Sequence, residues 1–405
     1  MGSKRQFVDA PNPKPELANK GFKLGIGMAV VGLALAFTGL ATTSTEQFYY
    51  SWLVAGMSFT TISLGCLFVV IIHHLAGAMW STTIRRIAEN VASALPYMGL
   101  LMLPVILIGM HDLYHWSHSG GLAETEVTGD SILRGKMGYL NAIFFGIRAI
   151  IFFGIWIMTA RFFRSQSVKQ DESGDVALTH KMRWWAPISM LAFALSISYA
   201  GFDWIMSLDP HWFSTMFGVI IFAGSMVSGF ATIGLLALWL TKNGALTNTI
   251  TEWNFHDCAK LMWGFVIFWT YTSFSQYFLI WYANIPEETA WYATRMNNGW
   301  ERIGLLLIFG HFILPFWALL SRHAKRNRYA YGLIAGWLIF MHYIDIYYMA
   351  MPALHHHFTP SWVDLACFVG IGGVFLAAIM RPFGKDAIVA HRDPQLIASM
   401  NYDNF

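Results

Sequence analysis

Charge is scarce in this chain. Only 12% of its 405 residues are Asp, Glu, Lys or Arg, against about 25% in an ordinary soluble domain. Cysteine is scarcer still: Cys66, Cys258 and Cys367 stand singly, with no C-x-x-C, C-x-x-C-H or clustered spacing. That leaves no ligand set for an iron-sulfur cluster and no attachment motif for a c-type haem, so no covalently bound cofactor and no metal site are expected. Any metal centre used in electron transfer belongs to a partner. No cleavable leader is expected either, because MGSKRQFVDAPNPKPELANK is too polar and Pro-rich for the apolar core of a signal peptide. The first apolar stretch is expected to remain as a membrane span.

What the chain has is hydrophobicity, at 56% of residues. Ten apolar stretches approach the ~20 residues that cross ~30 Å of hydrocarbon: 23–42, 50–76, 86–110, 137–160, 184–206, 213–240, 258–283, 302–320, 329–350 and 361–380. The expected fold is an all-α integral membrane protein of ten spans in a lipid bilayer. With both termini on one side, 21 of the 26 Lys and Arg residues fall on that side and four on the other, with Arg148 inside a span. From that bias the terminal side is expected to be cytoplasmic. The net charge of +3 is thereby accounted for, and no nucleic-acid partner is expected.

An ionisable side chain within a span costs roughly 3 kcal/mol or more, so each is a candidate for function or for a buried pair. Asp112, Asp203 and Asp345 fall near the outer, C-terminal ends of spans three, five and nine, where the negative end of a helix dipole disfavours a carboxylate. Each needs a cation, a donor, water or a proton, which suits proton transfer. His342 lies one turn before Asp345, and the pair is expected roughly 18 to 22 Å along the crossing. Arg148 and His311 are expected near mid-membrane, about eleven and nine residues into spans four and eight. Towards the inside lie His73, His74 and Glu89. These layers suggest outer and inner proton half-paths meeting near Arg148 and His311.

Hydroxyls extend the pattern. Ser196, Tyr199 and Asp203 follow helical spacing in span five, and Ser225, Ser228 and Thr232 do so in span six. Small polar residues also serve as packing contacts between membrane helices, and that reading is preferred for the Ser/Thr stripes. Glu89, His256, Asp257 and Lys260 are read mostly as solvated span ends. His355, His356 and His357 are read as a surface loop rather than a metal site, and His311 and His342, expected at different depths, as an improbable haem pair.

Span five ends in FDWIMSLDPHWF and span nine in IDIYYMAMPALHHHF. Each has Asp followed seven residues later by Pro (Asp203 to Pro210, Asp345 to Pro352), four spans apart, which implies two repeated four-helix bundles. The expected organisation is a cytoplasmic N-terminal segment (1–22), a peripheral span (23–49), bundle 1 (50–210), bundle 2 (211–352), a last span (353–380) and a cytoplasmic tail (381–405).

The stretches SYAGFDWIMSLDPHWFSTMFG (198–218) and FHDCAKLMWGFVIFWTYTSFSQYFLIWYANIPEE (255–288), with the ten-span layout, resemble the alternative complex III family of bacterial quinol:cytochrome c oxidoreductases. The resemblance covers the whole chain and is greatest to the shorter of that complex's two large membrane subunits, in the wider NrfD and polysulfide-reductase anchor family. It implies two four-helix bundles with two peripheral helices, a bacterial inner-membrane location and no haem in this subunit. It also implies partners: a paralogous NrfD-like membrane subunit, an iron-sulfur protein, c-type cytochromes bearing haem c, and a terminal oxidase. A non-covalent quinone, menaquinone or ubiquinone, is the cofactor it brings into question. Quinol oxidation in the family lies on the outer side of the paralogous subunit, and Asp112, Asp203 and Asp345, with His111 and His342, occupy comparable outer positions. Two readings stay open: a subunit contributing a proton path and a quinone pocket, or a structural and assembly subunit whose paralogue holds all the catalysis. A haem-bearing cytochrome b and a secondary transporter are less favoured alternatives.

Overall fold

The computed structural model describes residues 7, 9–118 and 130–402. Lys4 and Arg5 of the basic tally lie outside them. Within the described residues the chain is helical and without strands. The long elements are α1 (Pro15–Thr42), α2 (Thr45–Ala76), α3 (Thr82–Ala92), α4 (Leu95–Leu107), α5 (Ala142–Ser173), α6 (Val176–Trp204), α7 (Met216–Lys242), α8 (Glu252–Ala283), α9 (Trp300–Leu306), α10 (Leu314–Leu320), α11 (Arg328–Ala350) and α12 (Trp362–Phe383). Among the described residues nine helical stretches are long and apolar enough to cross a membrane, α3 with α4 counting as one and α9 with α10 as another. The remaining expected span, α8, is a helix of 32 residues that carries more polar side chains. This is an all-α multi-pass membrane protein.

Polar caps set several of the helix starts. Ser44, Asn141, Asp175, Asn327 and Ser361 each accept a backbone N–H of the following first turn, satisfying donors that have no partner within the helix. Helices α2, α3–α4, α5 and α6 pack together, as do α7, α8, α9–α10 and α11, while α1 lies along α12, which rests on α2. The first and last segments meet at one end, here the terminal end: Lys14 N–H donates to the Phe383 carbonyl at 2.9 Å and Ile388 N–H to that of Pro11 at 3.0 Å.

The two groups of helices join where α2 crosses α7. A Cβ on Gly65 would fall on the Ser225 carbonyl and stand 3.2 Å from the Gly229 Cα, so the two backbones touch. Gly65→Leu is expected to cost about 3 kcal/mol or more, the upper end of overpacking penalties. The measurement is the thermal unfolding midpoint in detergent, and a midpoint equal to the parent's would rule out this crossing.

Candidate functional site

At the end opposite the termini, the repeated aspartates have different partners. Each is followed by a single 3-10 turn, Met206–Leu208 after Asp203 and Met351–Ala353 after Asp345. Asp203 is fully buried and takes Arg148 bidentately, Nε to Oδ2 at 2.6 Å and Nη2 to Oδ1 at 3.1 Å. Arg148 Nη1 donates to the Tyr139 carbonyl at 2.8 Å, and the guanidinium lies 3.8 Å from the Tyr139 ring centroid. Arg148 lies in the second turn of α5, nearer its start than the expected eleven residues in. The Asn141 cap starts α5 at Ala142, five residues later than expected, and puts Arg148 near the opposite end. Arg148 does not meet His311, which sits in the other bundle.

Asp345 is buried on α11, and its Oδ2 accepts from Trp269 Nε1 of α8 at 2.9 Å. Among the described residues no cation lies within ion-pair distance of it. His342, one turn earlier, shares a 2.8 Å hydrogen bond through Nε2 with Thr61 Oγ1 of α2, while its Nδ1 has no partner. His311 is fully buried with neither ring nitrogen partnered, and stacks on Trp269 with ring centroids 4.0 Å apart. It belongs to a π-helical segment, Leu307–Ile313, between α9 and α10, an irregularity that often accompanies functional positions. So Asp345, Trp269, His342 and His311 form one core inside bundle 2. Gly224 of α7 closes it: a Cβ there would lie 3.0 Å from His342 Nδ1 and 3.7 Å from Asp345 Oδ2.

Other expected positions separate from this core. Asp112 is half-buried and accepts from Thr45 Oγ1 at 3.0 Å, while His111 is exposed. Ser196 is buried and accepts from Trp156 Nε1 at 2.8 Å, but Tyr199 is exposed on the outer face of α6, so the expected Ser196–Tyr199–Asp203 stripe is not continuous. Ser225, Ser228 and Thr232 donate to the carbonyls four residues back in α7. His355 is not a free loop residue, since its Nε2 is 2.5 Å from Gln47 Oε1. Gln47 Nε2, Ser51 Oγ and Tyr347 Oη in turn donate to Asp364 at 3.0, 2.6 and 3.2 Å. The S-x-x-D capping box that announces Asp364 before an apolar run was a readable signal. Outside the spans, Asp130 bonds His211 at 2.5 Å, and that bond, with the Leu133 N–H, holds its carboxyl below the ordinary range.

The terminal end contradicts the reading of Glu89 as a solvated residue, for it is 2% exposed. Glu89 lies between Arg85 and Arg86, both wholly buried: Oε1 to Arg85 Nε at 3.0 Å, and Oε2 to Arg86 Nε at 2.9 Å in an ion pair not aligned as a hydrogen bond. Arg85 also reaches Asp393 of the C-terminal tail at 2.6 Å and His73 Nε2 at 3.0 Å, while Arg86 reaches Asp171 of α5 at 2.6 Å. His73 Nδ1 pairs with Ser81 Oγ at 2.7 Å, and His74 stacks on Phe163. His256 and Asp257 are buried as well, whereas Lys260 is exposed. The arginines looked like orienting charges, and their i, i+4 and i, i+3 spacing to Glu89 was the only signal. Among the described residues no cluster of three or more His, Cys, Asp or Glu has the arrangement of a metal site. Compared with known proteins, the chain matches no protein-family model and no curated protein.

Proposed function

We propose that this chain is a non-haem membrane subunit of a respiratory quinol:electron-acceptor oxidoreductase of the alternative complex III type, in a bacterial inner membrane with both termini cytoplasmic. It contributes a proton path and a quinone pocket, and works beside a paralogous NrfD-like subunit, an iron-sulfur protein, c-type cytochromes and a terminal oxidase. One observation carries the proposal: among the described residues Asp345 is a buried carboxyl without a counter-ion, in a core with three unpartnered imidazole nitrogens on His342 and His311. Its charge state changes without breaking an ion pair, which is what a proton carrier requires. Buried unpartnered nitrogens also suit a hydrogen-bonding ligand, and a quinone carries oxygens of that kind. A bound quinol supplies two electrons and two protons, the electrons going to a partner's metal centre. Asp345 takes a proton, His342 passes it on or bonds the quinone, and Trp269 holds the carboxyl in place.

Asp345→Asn keeps the shape of the side chain and the Trp269 bond. In the reconstituted complex it is expected to slow quinol turnover and proton release by about 100-fold, the lower end of what a general acid–base group contributes, with assembly intact. Unchanged turnover and release would remove the proposal. The structural and assembly reading is favoured by a separate observation, the closed Arg148–Asp203 pair of bundle 1.

A further inference from the structure

The terminal end of bundle 2 carries more cations than acids. Residues 252–260 and 322–328 hold five Lys and Arg against two carboxylates, Glu252 and Asp257. Glu252 is exposed, and Asp257 stands 3.7 Å from Lys260. Lys325 is only 9% exposed, yet among the described residues it has no carboxylate partner; its ammonium lies 5.3 Å from the Trp263 ring centroid. Arg326 stacks on Trp253 at 3.9 Å, and its Nε and Nη2 are buried without an acceptor. Lys260, Arg322, Lys325 and Arg326 all act on one buried side chain, His256, so the cations converge on a single corner. Burying guanidinium donors without acceptors is costly, and an anion seated between them removes that cost.

The apolar surroundings select the kind of anion. The cationic turn, Arg322–Arg326, links α10 to α11. The adjoining ends of these helices expose Trp317 and Leu320 on one side and Tyr329 and Leu333 on the other. A free phosphate has no use for such faces, whereas a lipid uses both parts.

We propose that this corner binds the phosphate headgroup of an anionic phospholipid. Lys325 and Arg326 hold the phosphate, Trp253 forms the floor, and the acyl chains run along α10 and α11. Basic pockets between spans at the membrane surface recognise headgroups in this way.

The test uses the full chain, purified in neutral detergent and stripped of lipid, with the thermal unfolding midpoint read during titration. Phosphatidylglycerol is expected to raise the midpoint saturably, and phosphatidylcholine and inorganic phosphate are expected not to. In Lys325→Gln/Arg326→Gln the half-saturating concentration of phosphatidylglycerol should rise about 25-fold, roughly fivefold for each charge removed. Lys20→Gln, at an exposed terminal-end site, should leave it unchanged. An equal shift with phosphatidylcholine, a full shift with phosphate alone, or unaltered affinity in the double variant overturns the proposal. If the double variant does not fold, native mass spectrometry of the parent chain from an equimolar lipid mixture decides: enrichment of phosphatidylglycerol supports the site, and equal retention overturns it.

Discussion

Glu89→Ala is expected to lower the unfolding free energy by about 3 to 5 kcal/mol, the range for removing one partner from a buried ion pair. The reason lies in what Glu89 holds. Arg85 and Arg86 are both wholly buried, and Glu89 is the carboxylate that both Nε atoms face. Its loss leaves two charged donors short of an acceptor at once, although Asp393 and Asp171 continue to hold the far ends of the guanidinium groups. Asp393→Ala should cost less, because Arg85 keeps Glu89, but it has a second consequence. Asp393 fastens the C-terminal tail to α3, aided by Ser399 Oγ donating to the Trp80 carbonyl at 3.0 Å and by the Ala387 carbonyl accepting from Arg86 at 3.2 Å. Tryptic cleavage after Arg392 should therefore quicken in Asp393→Ala while the spans stay intact. A drop of several degrees in the unfolding midpoint of Glu89→Ala checks the first expectation; a shift of less than a degree would mean that water reaches the cluster.

Why this cluster escaped a reading of the chain is a matter of distance along it. Arg85 and Asp393 are 308 residues apart, and only the return of the tail beneath α3 removes the arginines from water. Two basic residues between apolar runs look the same whether they orient the chain or sit inside it. The spans themselves were legible, because each needs ~20 apolar residues in succession, and their ends were legible where a cap residue stood. At α5 the apolar residues Met137, Tyr139 and Leu140 concealed the Asn141 cap, and the misplaced start put Arg148 five residues too far along the helix. Arg148 was recognisable as a charge that must find an acceptor, since a guanidinium stays protonated. Which of three aspartates supplied it was not. The π-helical turn at His311 did leave a local mark: Pro315, four residues on, has no N–H for the His311 carbonyl and its ring crowds that carbonyl, so the regular ladder is broken there.

The Arg148–Asp203 pair makes the largest difference between the two bundles, and its removal is expected to be as costly as that of Glu89. Asp203→Ala should destabilise the protein by about 3 to 5 kcal/mol. Arg148, 6% exposed, would keep only the Tyr139 carbonyl and the faces of Tyr139 and Phe144, 3.8 and 4.4 Å away. A backbone carbonyl and two rings do not balance a full charge. Replacing both partners is a different experiment, because an apolar pair of similar volume leaves no charge to desolvate and such exchanges are often neutral or stabilising. Arg148→Met/Asp203→Leu should accordingly recover most of the unfolding midpoint lost in Asp203→Ala. The same double variant tests the division of labour between the repeats. If bundle 1 is held by a clamp while proton transfer runs through Asp345, the double variant keeps quinol turnover and proton release at parental rates once assembled. If turnover falls as far as in Asp345→Asn while the midpoint is restored, Asp203 is a proton carrier despite its arginine, and the path crosses both bundles.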